Sequence, residues 1–216
     1  MSSRPCGAQS SVGSPMISLR TTTIERVATA SLPTRTGDFS VVAFRSRISS
    51  EEFVCLYTGT IDDGSPTLVR LHSQCLTGDV FGSAKCDCGD QLRSALNLIE
   101  QAGRGVLVYQ LQEGRGIGII NKIRAYALQD RGLDTIEANV QLGLPVDSRD
   151  YKQCVEILLE LGLSKVLVMS NNPAKIRAIE EGGLEIIERV ALDISPHPAA
   201  LSYLRTKKLR MGHLIV

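Results

Sequence analysis

Three cysteines stand close together in the stretch Arg70-Leu-His-Ser-Gln-Cys75, continued by Lys85-Cys86-Asp-Cys88-Gly89-Asp-Gln91. The spacing Cys-x10-Cys-x-Cys offers three soft ligands to one ion. A structural zinc site usually closes its tetrahedron with four protein ligands, whereas a catalytic site uses three and leaves a position for water. Three thiolates over-neutralise Zn2+, so its bound water should be less acidic than in a three-histidine site. Such a centre calls for a positive neighbour or a general base, and Arg70, Lys85 or a remote Asp are the candidates. The same residues also fit a four-ligand structural site recruiting Cys55 or His72. Plain buried thiols are a third reading, although Cys-x-Cys flanked by Asp makes a poor core sequence.

Two further segments have the form of anion-binding loops. Glu113-Gly114-Arg115-Gly116-Ile117-Gly118 leaves a continuous apolar run and enters a helical pattern. Glycines let the backbone approach a phosphate, the helix start favours an anion, and Arg115 adds paired hydrogen bonds. Ser170-Asn171-Asn172-Pro173, followed by Lys175, repeats the strand-to-helix form; an ordinary N-capped helix with a surface lysine would look the same. With Arg70 and the cysteines, these loops point to a nucleotide carrying several phosphates. Tyr126, among Ile and Ala, reads first as a core tyrosine with a satisfied hydroxyl. Asp147-Ser-Arg149-Asp150 reads equally as a charged cap on a helix at Tyr151. His197 and His213 have no supporting neighbours and are taken as structural.

The elements that must position these residues follow from periodicity. Strand-type runs cover 38–45, 52–60 and 67–72, rich in Val, Phe, Tyr and Leu. Residues 91–102 form an amphipathic helix stopped by Gly103, and 105–111 a strand buried on both faces. Helices are expected over 119–129, 151–162 and 173–182, and strands over 165–170 and 184–190. Strands alternating with helices from residue 90 onward imply an α/β fold, a mixed β-sheet with flanking helices. The Ser-, Gly- and Pro-rich residues 1–15 read as a disordered leader, and 16–216 as a single domain.

With 24 basic and 23 acidic residues the net charge is +1. No dense basic block appears, which argues against nucleic acid as a partner. No apolar run approaches the ~20 residues of a membrane span. Six cysteines, two of them one residue apart, look like metal ligands in a reducing compartment more than a disulfide framework. A soluble, cytoplasmic protein is the expectation.

Taken together, the motifs resemble GTP cyclohydrolase II, the family that opens riboflavin biosynthesis. The resemblance rests on Arg70-Leu-His-Ser-Gln-Cys-Leu-Thr-Gly-Asp79, Cys86-Asp-Cys-Gly89 and Gln112-Glu-Gly-Arg-Gly-Ile-Gly118. It continues in Asn121-Lys-Ile-Arg-Ala-Tyr126-Ala-Leu-Gln-Asp130, Asp134-Thr-Ile-Glu-Ala-Asn139, Ser170-Asn-Asn-Pro173 and Met211-Gly-His213, in the family's order from about Arg26 onward.

The resemblance implies hydrolysis of GTP at C8 of guanine, with release of formate and pyrophosphate. The product is a 2,5-diamino-6-(ribosylamino)pyrimidinone 5′-phosphate. It implies one Zn2+ per subunit on Cys75, Cys86 and Cys88, activating the water, with Mg2+ on the triphosphate. Tyr126 matches the tyrosine needed for ring opening, Asp147 the proton acceptor, and Arg149 the arginine at the α-phosphoryl group. The implied GTP contacts are Arg70, Leu71, His72, Ser73 and Gln74, then Gln91, Glu113, Gly114 and Arg115. Thr135, Ser170 and Lys175 complete them.

A homodimer is the family expectation. The dihydroxybutanone-phosphate synthase often fused to the family finds no room in this chain. Gln74 stands where the family commonly has Glu, Val140 where it has His, and Ser170 where it has Thr. Ser148 replaces a frequent acidic residue. These departures leave room for a paralogue in a specialised pathway, and a variant that stops at the formamidopyrimidine nucleotide is a further alternative.

Overall fold

The computed structural model describes residues 22–192, 194, 197–212 and 214; the leader expected over 1–15 and His213 lie outside them. In chain order the elements are β1 (Ile24–Pro33), β2 (Asp38–Ser46), β3 (Glu52–Thr58), β4 (Thr67–Ser73), α1 (Leu76–Asp79), α2 (Cys88–Ala102) and β5 (Gly105–Gln110). There follow α3 (Gly118–Gln129), α4 (Thr135–Gln141), α5 (Lys152–Glu160), β6 (Lys165–Val168), α6 (Pro173–Glu181), β7 (Glu185–Arg189) and α7 (Leu201–Met211). The expected mixed sheet with flanking helices is present.

Among the described residues seven strands form one sheet in the order β1-β2-β3-β5-β4-β6-β7. The β1, β2, β3 and β5 pairings are antiparallel, and those joining β5, β4, β6 and β7 are parallel. Side chains alternate across a strand, so each face gathers its own core. On one face Ala95 and Ile99 of α2 pack with Phe39, Leu107 and Met169. On the other, Val155, Ile157 and Leu158 of α5 and Ile179 of α6 pack with Val42, Phe44, Val69 and Leu71. Since Val69 and Leu71 belong to the second core, Arg70 and His72 must project from the α2 face, where both are buried.

The chain leaves β4 through α2 to reach β5 on one side, then crosses through α5 to β6 on the other side of β4. The strand order therefore reverses at β4. In open α/β sheets the crevice at such a point, outside the carboxyl ends of the strands, is where ligands bind. The segments following β4, β5 and β6 are the cysteine loop, the glycine loop and the Ser170-Asn171-Asn172 turn.

Four elements went unseen in the sequence. Most of β1 is exposed, so no apolar alternation marks it. α1 and α4 are shorter than two helical turns, although α4 carries a full capping box between Asp134 and Glu137. α7 is dominated by polar residues. Among the described residues no helix is long and apolar enough to cross a membrane.

Candidate functional site

The Sγ atoms of Cys75, Cys86 and Cys88 lie within 4.8 Å of one another. β4 delivers Cys75, and the turn into α2 delivers the other two. Space for the trio depends on glycine: a Cβ on Gly78 would sit 3.0 Å from Cys86 Sγ and 3.1 Å from Cys75 Sγ. A Cβ on Gly89 would fall 2.2 Å from the Gly78 carbonyl oxygen. Cys55, one proposed fourth ligand, is buried in the opposite core. His72, the other, turns Nε2 to Asp79 at 3.2 Å. Among the described residues no fourth His, Cys, Asp or Glu joins the cluster.

Cys75 is the most acidic of the three. Hydrogen bonds from the neighbouring thiols and the charge of Lys122 hold it far below the usual thiol range. Its thiolate in turn pushes Cys86 up to about 11 and, with burial, raises Cys88 well above the ordinary thiol value. The positive neighbour is Lys122, whose Nζ donates to Cys75 Sγ at 3.1 Å and to Glu113 Oε1 at 2.8 Å. Lys85 instead pairs with Asp130 at the surface. Lys122 and Tyr126 share one face of α3, a turn apart. That spacing was available in the sequence.

Tyr126 stands beside the thiols. Its hydroxyl is 3.4 Å from Thr77 Oγ1, which lies 3.6 Å from Cys75 Sγ. Burial raises the Tyr126 pKa, so the phenol keeps its proton and remains a donor. Lys85 and Lys122 sit 5.0 and 5.8 Å from its ring centre.

Asp79 ties the cysteine loop to the sheet. Its carboxylate accepts from Cys75 N at 3.0 Å, Tyr109 OH at 2.7 Å and His72 Nε2. Because Asp79 is an acceptor, Nε2 carries the histidine proton and Nδ1 is left as an acceptor. Burial lowers the His72 pKa and keeps the ring neutral.

Glu113 joins the two loops: Oε2 accepts from Leu76 N at 2.6 Å and Oε1 from Gly114 N at 2.8 Å. Gly114 and Arg115 both adopt left-handed backbone, φ 62°. Arg115 is the one described non-glycine residue there, a conformation costing about 1–3 kcal/mol and typical of ligand clamps. Ser148 holds it in place, donating from N at 3.1 Å and Oγ at 3.2 Å to the Arg115 carbonyl. An ionised acidic side chain at 148 could not make the second bond, which gives that departure a structural meaning. Val140 is exposed and outside the site.

Two cavities adjoin here. One, of about 100 Å³, is lined by the thiols, Tyr126, Gln74, Glu113 and Thr135. The other, of about 190 Å³, lies at the carboxyl ends of β4 and β6 and is lined by Arg70, His72, Gln91, Ser170 and Lys175. Ser73, Cys88, Arg115, Arg149 and Tyr203 border both and make their shared boundary, or neck. Arg70 Nε, His72 Nδ1 and both terminal nitrogens of Arg115 are buried here without a partner. Each such atom costs about 1–3 kcal/mol, a penalty that a bound ligand can relieve.

Lys175 is buried with Nζ donating to the Leu71 carbonyl at 2.7 Å. Burial, then repulsion from Arg70 and Arg149, hold it well below the usual lysine range. Arg149 is half-buried; desolvation is outweighed by the Asp147 hydrogen bonds together with the charges of Tyr151, Asp147 and Tyr203, which keep it firmly charged.

The sequence-derived set thus converges, with two exceptions. The Leu71 side chain lies in the second core, so only its carbonyl faces Lys175. Asp147 borders neither cavity and lies in a groove beyond Arg149. Missed by the sequence were Asp79, Asp87, Lys122, Tyr203 and Lys207.

The family model for GTP cyclohydrolase II matches residues 25–191. The chain is 50% identical over 193 residues to GTP cyclohydrolase-2 of Actinobacillus succinogenes, covering 89% of each. It is 53% identical over 193 residues to the riboflavin biosynthesis protein RibBA of Salinispora tropica, covering 89% of this chain and 48% of that protein. It therefore spans about half the length of the RibBA relatives. A solved two-domain 3,4-dihydroxy-2-butanone 4-phosphate synthase, RibBX of A. baumannii, shows a TM-score of 0.44 at 19% identity over 80% of this chain and 41% of that one. That likeness is too weak to bear on fold or function.

Proposed function

The chain belongs to the GTP cyclohydrolase II family, and from that premise we propose that it hydrolyses GTP at C8 of the guanine ring. Formate and pyrophosphate leave, and the diaminopyrimidine nucleotide monophosphate is the first intermediate of riboflavin biosynthesis. The observation that carries this reading is a thiol-lined cavity and a cation-lined one that share five of their lining residues. A nucleotide spanning the neck has its base at the thiols and its phosphates among Arg115, Arg149 and Lys175.

The donor set suits zinc: three converging thiols, a glycine whose Cβ would fill the cradle, and an ammonium to offset surplus negative charge. Cys75, Cys86 and Cys88 would hold the ion, which when bound supplies Lewis acidity and an activated water for attack on a formamidine-level carbon. Tyr126, kept protonated by burial, donates to the purine at the opening bond from the wall of the thiol-lined cavity. Arg70 Nε and His72 Nδ1 present one donor and one acceptor to the ligand.

Arg149 is permanently charged, and its clearest role is to stabilise the α-phosphoryl group as pyrophosphate departs. Asp147 holds that guanidinium at 2.9 Å. Despite its partial burial, the pairing lowers the Asp147 pKa, which makes it a weak base and a good orienter. GTP enters as its Mg2+ complex. A cytoplasmic homodimer belongs to the same proposal.

The test is incubation of the zinc-loaded protein with GTP and Mg2+, with products resolved by liquid chromatography and mass detection. The diaminopyrimidine phosphate with formate and pyrophosphate is expected. A formamidopyrimidine nucleotide would show that ring opening stops halfway, and intact GTP would refute the activity.

A further inference from the structure

α7 lies beyond residue 191, where the match to the family model ends, and it reaches the middle of the site. Tyr203 borders both cavities at the neck. The Arg115 guanidinium lies 5.6 Å from the Tyr203 ring centre, and Lys207 Nζ lies 4.4 Å from it. Tyr203 and Lys207 are one helical turn apart on α7, so a single face presents both.

Lys207 is buried and donates to Asp87 Oδ1 at 3.1 Å. Asp87 Oδ2 accepts from Gln91 Nε2, and Gln91 Oε1 from Arg70. The helix is thereby tied through one buried chain of bonds to the Cys86-Asp87-Cys88 turn and to β4. Surface lysines on a loosely attached helix do not bury themselves against an internal carboxylate, since desolvation opposes it unless the pairing is good.

We propose that α7 is part of the nucleotide site. Tyr203 packs against the bound nucleotide where it passes the neck, at its ribose and α-phosphate, and holds Arg115 with its unpartnered terminal nitrogens toward the phosphates. Lys207 is a positioning residue that fixes α7 through Asp87. The proposal rests on the reading that the ligand is GTP spanning both cavities. A nucleotide in that position meets Tyr203, because Tyr203 lines both cavities.

The experiment compares zinc-loaded wild-type protein with Tyr203→Leu, Tyr203→Phe and Lys207→Met. GTP affinity is read as KM where ring opening occurs, and as Kd by calorimetric titration where it does not. A wild type that binds GTP without converting it would therefore overturn the proposed activity while leaving α7 testable. The expected result is at least a tenfold loss of affinity in Tyr203→Leu, with kcat changed less than threefold and zinc content unchanged. Tyr203→Phe, which keeps the ring, should recover most of that loss. Lys207→Met should resemble Tyr203→Leu, and the double variant should be no worse than either. GTP affinity within twofold of wild type in Tyr203→Leu would overturn the proposal. So would equal impairment in Tyr203→Phe, or loss of zinc in step with activity.

Discussion

Lys122 Nζ donates to Cys75 Sγ at 3.1 Å, with its other bond at 2.8 Å to Glu113. One ammonium thus serves the most acidic thiol and the carboxylate that joins the glycine loop to the cysteine loop. Lys122→Met removes the positive neighbour of the thiol cluster. Zinc affinity, measured by competition with a chelating dye, should fall 10–100-fold, the usual effect of losing a partner to a metal ligand. Unchanged affinity would mean that the thiols do not need this charge.

Tyr126→Phe deletes one hydroxyl and leaves the ring between Lys85 and Lys122. A positioned proton donor contributes about 10²–10⁴ in rate. Diaminopyrimidine formation should drop by at least the lower figure with zinc content intact. A rate within threefold of wild type would return Tyr126 to a packing role.

Gly78→Ala would place a methyl 3.0–3.1 Å from Cys86 Sγ, Cys75 Sγ and Cys88 Cβ. The thiols must spread, so metal occupancy at equal free zinc should fall while the circular dichroism spectrum is retained. Full occupancy would show that the loop can yield without cost.

Lys175 gives a pH prediction whose sign can be worked out. Burial and the charges of Arg70 and Arg149 depress its pKa, and Lys207 adds to the repulsion. Between that depressed value and the ordinary ~10.4, the empty site has lost a proton that a phosphate-bound site retains. GTP binding should therefore take up protons, and affinity should weaken as pH rises through this window. In the same window the unfolded chain binds more protons than the folded one, so this group's contribution to stability rises with pH. Calorimetric titrations in buffers of different ionisation enthalpy measure the uptake; zero net protons at mildly alkaline pH would refute it.

The chemistry of the site was legible because it lies in short local strings. Cys86 and Cys88 are one residue apart at the start of α2, and the glycine loop follows directly on an apolar strand. The central strands were legible too, since β5 is buried on both faces and its sequence is a continuous apolar run. Period showed α2 from residue 91, three residues inside its observed start at Cys88, and Gly103 marked its stop, turning left-handed with φ 63°.

Tertiary structure decided what no local pattern could. That β4 lies between β5 and β6, making its end the crevice, depends on pairings across a hundred residues. Lys122 as the thiols' partner, Asp79 as their anchor and Leu71 turned to the core all follow from strand parity and helix placement. α7 was illegible because its polar composition hides the face that enters the site: Lys207 is buried by an ion pair with Asp87, and an ion pair between distant segments leaves no period in a sequence.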